Sequence, residues 1–132
     1  MSSVDLIEIR VSEDVVRVRH RTRELAVQAG MSLIDQTKLV TAASELARNT
    51  LEYGGGGTAR FERPVSGLKK GVRITFEDSG PGIADVAQAM QDGFTSGSGM
   101  GLGLPGAKRL VNEFDIQSKP GQGTRVTITR WK

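Results

Sequence analysis

Val72-Arg73-Ile74-Thr75-Phe76-Glu77-Asp78-Ser79-Gly80-Pro81-Gly82-Ile83 decides how this chain is read. Its first half alternates branched or aromatic residues with polar ones, the period-two pattern of a strand buried on one face. Its second half ends that strand on an aspartate, followed by two glycines and a proline. A carboxylate is thereby carried to a strand end, beside backbone that can pass close to a flat ring. Such a carboxylate can accept from the exocyclic amine of adenine, whereas guanine would present a carbonyl and be repelled. An Asx turn closing the strand accounts for the same residues equally well when they are taken alone.

Working outward, Leu6 to Val11 is rich in branched residues and reads as a first strand. Ser12, with Glu13 and Asp14 behind it, suits a helix start. Val15, Val18, Leu25, Ala26 and Ala29 follow helical spacing, and Gly30 can cap the end. A second helix is expected from about Leu33 to Leu51, stopped by Gly54-Gly55-Gly56-Gly57. Thr58 to Glu62 forms a short strand candidate, and Ser66 to Gly71 is the turn before the strand quoted above. A weaker helix follows near Ala84 to Gln91. Leu104, Ala107, Leu110, Val111 and Phe114 then share one helix face. Phe114 to Ser118 and Arg125 to Thr129 read as strands joined by Lys119-Pro120-Gly121-Gln122-Gly123. The expected fold class is α+β, a two-layer α/β sandwich whose mixed, mostly antiparallel sheet carries its helices on one face.

With 132 residues, 37% of them hydrophobic, residues 1 to 132 are expected to form one domain around one core. The absence of cysteine excludes disulfides, a thiol nucleophile and cysteine metal sites, and the one histidine excludes sites built on several. His20 lies between Arg19 and Arg21 and reads as a surface residue. Net charge is +3, but both signs are mixed along most of the chain, and one Trp and one Tyr offer few stacking platforms. Nucleic acid is therefore not an expected partner. No apolar run approaches membrane-spanning length, and Met1 to Arg10 lacks the pattern of a secretory leader, so no membrane association and a cytoplasmic location are expected.

Three further patterns bear on chemistry. Glu45 and Asn49 stand four apart in the second helix, which puts their side chains on one face, with Cβ atoms roughly 5 to 6 Å apart. The Asn49 amide oxygen is a hard, neutral ligand suited to magnesium, and Glu45 can take a proton from an attacking hydroxyl or water. A solvated helix face explains the same pair without any chemistry. Gly97-Ser98-Gly99-Met100-Gly101-Leu102-Gly103-Leu104, running into Pro105, reads either as a phosphate-cradling loop that opens a helix or as a flexible surface loop. Gly121-Gln122-Gly123-Thr124 is a hairpin turn unless the fold sets it beside a ligand. No Gly-Lys-Ser/Thr phosphate loop and no His-Arg-Asp catalytic loop occurs.

Taken together and in order, these patterns resemble the N box and three glycine boxes of the Bergerat-fold ATPases and kinases, the superfamily of gyrase, the large heat-shock chaperones and histidine kinases. Within it, Ser44-Glu45-Leu46-Ala47-Arg48-Asn49, Glu77 to Ile83, Asp92-Gly93-Phe94-Thr95-Ser96 and Gly101 to Leu110 look like the RsbT branch of switch-protein serine/threonine kinases. The resemblance covers nearly the whole chain.

It implies Glu45 as general base, Asn49 as magnesium ligand and Asp78 as adenine ligand, with Gly80 and Gly82 as the floor under the base. Gly97, Gly99, Gly101, Leu102 and Gly103 would form the lid and phosphate loop, and Thr124 would complete the adenine side. The implied cofactors are ATP and Mg2+. The implied partners are a STAS-domain antagonist as substrate, a serine phosphatase activated by binding, and a stress-signalling complex. An anti-sigma factor kinase that sequesters a sigma subunit is the other branch the motifs allow, and a non-catalytic nucleotide-dependent scaffold is a third reading. Arg17, Arg19, Arg21 and Arg23 on the first helix would meet an acidic partner or simply face solvent.

Overall fold

Each long strand presents its apolar residues to one side, and this asymmetry builds the molecule. The computed structural model describes residues 5–83, 86–90 and 103–132. Along the chain these form β1 (Asp5–Ile9), α1 (Ser12–Gln28), α2 (Leu33–Glu52), β2 (Gly57–Glu62), β3 (Val65–Ser66), β4 (Lys69–Asp78), α3 (Val86–Ala89), α4 (Gly103–Arg109), β5 (Glu113–Ser118) and β6 (Thr124–Trp131). The main sheet runs β1-β2-β4-β6-β5, and the short β3 pairs with β4 beside that path. Every pairing among the described residues is antiparallel, so the expected mostly antiparallel sheet is antiparallel throughout this part.

Register turns the alternation into a core. Ile74 of β4 stands opposite Phe61 and Ile128, and Phe76 stands opposite Ala59 and Val126. Together with Ile9 and Val72 these residues are buried against Val18, Leu25 and Ala26 of α1 and Leu39, Ala42, Ala43, Leu46 and Ala47 of α2. Full burial of one side chain such as Phe76 is worth about 1.5–3 kcal/mol. The small alanines of α2 let this helix lie close on the sheet, and Gly54, just past its end, comes up against Asp78 at the end of β4.

The helix ends follow local chemistry. The Ser32 hydroxyl accepts from the Asp35 amide at 3.1 Å and caps α2. At the end of α1, the Met31 amide reaches back to the Ala26 carbonyl, with Gly30 at φ 86°, the left-handed residue such a closure requires. At the start of α1, Asp14 accepts from the amides of Arg10 and Val11 at 2.8 and 3.1 Å.

α4 is shorter than its apolar spacing predicts. It stops at Arg109, and Phe114, which the spacing placed on its face and the following pattern placed at the start of a strand, lies in β5 opposite Ile128. The cause is tertiary. The Asn112 amide already donates to the Thr129 carbonyl in β6, and Arg130 binds the Leu110 carbonyl at 2.9 Å, so the chain is drawn into the sheet. β3 is a second difference, since two exposed residues carry no periodic signal. β4 and β6 also extend beyond the expected strands, from Lys69 and to Trp131.

Candidate nucleotide site

One row of the register crosses the sheet at its far end: Gly57 of β2, Asp78 of β4, Thr124 of β6 and Ser118 of β5. Asp78 and Thr124 follow Phe76 and Val126 at spacing two, so they share the face that carries the helices. The strand alternation that builds the core therefore also aims a carboxylate and two hydroxyls at the end of α2.

Asp78 is held by its neighbours. Its Oδ1 accepts from the Gly80 amide at 2.9 Å, and the Thr124 amide also donates to this carboxylate. Burial pushes its carboxyl above the usual carboxylate range, and these two amide bonds act against that rise. Close approach requires glycine around it. A Cβ on Gly54, just past α2, would fall 2.6 Å from Asp78 Oδ2, and one on Gly80 would fall 2.7 Å from the Gly54 Cα. Gly123, at φ 79°, has no room for a Cβ beside the Asp78 carbonyl oxygen.

Ser118 ties the two glycine turns together. Its hydroxyl accepts from the Ile83 amide at 2.8 Å, donates to the Gly123 carbonyl at 3.0 Å and lies 2.8 Å from Thr124 Oγ1. The Gly121 amide adds a bond to the Pro81 carbonyl at 2.7 Å. Asp78-x-Gly80-x-Gly82 and Gly121-x-Gly123-Thr124, far apart in sequence, thus form one rigid wall.

The pair on α2 is arranged differently. Glu45 is 7% exposed, and its Oε1 accepts from Arg48 Nη1 at 3.1 Å. Its Oε2 and the Asn49 Oδ1 are buried and have no hydrogen-bond partner among the described residues. Two bare oxygens one helical turn apart argue against a solvated helix face, and they are the kind of atoms a metal or a reacting hydroxyl would satisfy.

Of the expected site residues, the structure brings Asp78, Gly80, Gly82 and Thr124 together at the strand ends and leaves Glu45 and Asn49 on the adjoining helix. Gly103 begins α4 at φ 63°, with Pro105 in its first turn. Gly97, Gly99, Gly101 and Leu102 lie outside the described residues. Sequence reasoning missed Ser118, Arg48 and the close approach at Gly54. A serine ending a strand carries no signal of contacts 35 residues away, whereas Gly54 was legible only as a helix stop.

The first-helix arginines are mostly engaged. Arg17 pairs with Asp14, Arg21 with Asp5 and Glu24, and Arg23 binds Gln36, while Arg19 and His20 are exposed.

Among the described residues, a six-stranded antiparallel sheet under helices, a buried Glu45 with Asn49 one turn on, and an aspartate set among glycines are features of one class of ATP-binding domain. Residues 34–132 match the family model described as histidine kinase-, DNA gyrase B- and HSP90-like ATPase, and the chain belongs to this family. Among particular relatives, it is 40% identical over 131 residues to the serine/threonine-protein kinase RsbT of Bacillus subtilis (strain 168), covering 99% of this chain and 98% of that one. It is 30% identical over 112 residues to the anti-sigma F factor of Thermoanaerobacter sp. (strain X514), covering 80% of this chain and 77% of that one. Its fold is similar to that in the crystal structure of the RsbU and RsbW domains of Rv1364c from Mycobacterium tuberculosis, with a TM-score of 0.65 and 23% identity. That match covers 98% of this chain and 31% of the other. The resemblance to the RsbT branch is thereby borne out. No helix among the described residues is long and apolar enough to cross a membrane.

Proposed function

We propose that this chain is an ATP-dependent protein serine/threonine kinase that phosphorylates a STAS-domain antagonist in a partner-switching stress-signalling complex, and that once released it binds and activates a serine phosphatase. The observation that carries the catalytic part is that, among the described residues, the buried Glu45 Oε2 and the Asn49 Oδ1 one turn on have no hydrogen-bond partner, on a helix whose end abuts the Asp78 wall. The identity to RsbT along the whole chain supports the choice of substrate class and partners. A cytoplasmic location is part of the same reading.

The division of labour we assign rests on the family resemblance, and the positions of Asp78, Thr124, Glu45 and Asn49 support it. Asp78 accepts from the adenine amine, Gly80 and Gly82 line the base, and Thr124 completes that side with Ser118 behind it. Asn49 Oδ1, a hard neutral oxygen without a partner among the described residues, fits a magnesium ion, which when bound would neutralise charge on the phosphates. Gly97, Gly99, Gly101, Leu102 and Gly103 are assigned to the phosphates and lid. The substrate hydroxyl oxygen attacks the γ-phosphorus, and its proton passes to Glu45 Oε2. The bond from the γ-phosphorus to the bridging oxygen breaks, and its electron pair leaves on ADP. Positioning and charge neutralisation supply most of the rate, as is usual for phosphoryl transfer.

The test is transfer from labelled Mg-ATP to a co-encoded STAS-domain protein by the native chain and by Glu45→Ala. Serine or threonine labelling that is lost in the variant supports the proposal. An unlabelled STAS protein, or equal labelling by both chains, contradicts it.

The identity to anti-sigma F factors favours one second reading, an anti-sigma kinase that sequesters a sigma subunit and phosphorylates its antagonist. The chemistry is the same and the partner differs. Capture of a sigma subunit without a phosphatase would select it.

A further inference from the structure

Glu45 occupies an expensive position for a carboxylate. It is 7% exposed, and one of its oxygens is fully buried without a partner among the described residues. Its ion-pair partner is Arg48, one turn further along α2, with Nη1 3.1 Å from Oε1. The two ends of this pair sit in different surroundings: the Glu45 side chain is 10% exposed and that of Arg48 41%. An exposed pair at this helical spacing would be worth little. Here the contact is the hydrogen bond that holds this carboxylate among the described residues. Rotation about the last side-chain bond of glutamate is soft, so a free Glu45 would spread its two oxygens over many orientations. Fixing Oε1 fixes where Oε2 points.

We infer that Arg48 is the positioning residue for the proton acceptor: it holds Oε1 so that the bare Oε2 is the oxygen presented to the substrate hydroxyl. The inference rests on the assignment of Glu45 as base. It separates two neighbours in one motif by role, with Asn49 acting on the phosphates and Arg48 acting only through Glu45. Arg48 therefore matters for the transfer step and not for holding the nucleotide. A lysine at this position keeps the positive charge but has no planar fork, so it restores part of the alignment.

The experiment compares Arg48→Met, Arg48→Lys, Glu45→Ala and the double variant Glu45→Ala/Arg48→Met with the native chain, measuring Mg-ATP affinity by calorimetry and single-turnover transfer to the STAS-domain substrate. Arg48→Met is expected to lower the transfer rate about tenfold to a hundredfold, the scale of a misplaced reacting group, with Mg-ATP affinity changed less than about twofold. Arg48→Lys should recover part of that loss, and Arg48→Met should cost nothing further once Glu45 is alanine. Retained Mg-ATP binding shows in the same experiment that each variant is folded. Native transfer rates in Arg48→Met, parallel loss of binding and transfer, or a lysine variant no better than methionine would overturn the positioning role alone. Full transfer by Glu45→Ala would instead overturn the assignment of the base, and the role of Arg48 with it.

Discussion

The two ends of the site are finished to different degrees. At the strand ends, Asp78, Ser118 and the glycine turns are cross-linked by the protein's own hydrogen bonds, from Gly80 to Asp78 and from Ile83 through Ser118 to Gly123. On α2, by contrast, Glu45 Oε2 and Asn49 Oδ1 are buried and have no partner among the described residues. Buried polar atoms are almost always satisfied in folded proteins, so the difference distinguishes a wall built in advance from a reactive end that its ligands complete. Binding of the base and transfer of the phosphoryl group should therefore respond separately to mutation.

The largest expected effect breaks the reactive end alone. Glu45→Ala should lower transfer by about 10²–10⁴-fold, the range for a general acid–base group, with Mg-ATP affinity nearly unchanged in a calorimetric titration. Asp78→Asn should do the reverse. Losing a charge-assisted hydrogen bond of roughly 1.5–3 kcal/mol should weaken ATP about tenfold to a hundredfold, with transfer falling through KM more than through kcat. Ser118→Ala would leave the Ile83 amide unpaired, at about 1–3 kcal/mol of stability by denaturant unfolding, and loosen the wall behind Thr124. Ser32→Ala lies at the other end of α2. It should cost about 1 kcal/mol in the same assay and leave both ATP binding and transfer intact.

The smallest effect is a pH dependence. Amide bonds from Arg10 and Val11 hold the Asp14 carboxyl below its ordinary value of 3.8, and the Arg130 guanidinium does the same for Asp35. A carboxyl lowered by folding stabilises the native state above the unfolded value, and that contribution is lost as pH falls towards the folded one. Asp78 has the opposite sign, since its raised carboxyl is relieved by acidification. Unfolding midpoints measured at falling pH should thus drop below about pH 4, and Asp14→Asn should flatten that limb. A limb unchanged in Asp14→Asn would contradict the assignment.

Legibility in the sequence followed the range of the forces involved. β2, β4 and both long helices were readable because alternation and helical spacing are local consequences of one buried face, and Gly30 marks the end of α1 through a bond a few residues long. The end of α4 was not readable, because Arg130 and the Thr129 carbonyl, both in β6, decide it. In the site, Glu45, Asn49, Asp78 and the glycines at 80 and 123 stood out by type and spacing. Ser118 did not, since its partners become neighbours only when β5 and β6 are paired. Arg48 was visible as a residue, but its hold on Glu45 depends on a burial that no spacing reveals.

The central claim is that the bare oxygens on α2 belong to the metal–phosphate end and the satisfied wall to the base. It is tested most directly by titrating ATP with and without Mg2+ into the native chain, Asn49→Ala and Asp78→Asn. The account predicts that magnesium strengthens binding to the native chain, that Asn49→Ala abolishes this gain, and that Asp78→Asn weakens both titrations by the same factor. A magnesium gain that survives in Asn49→Ala but vanishes in Asp78→Asn would contradict it.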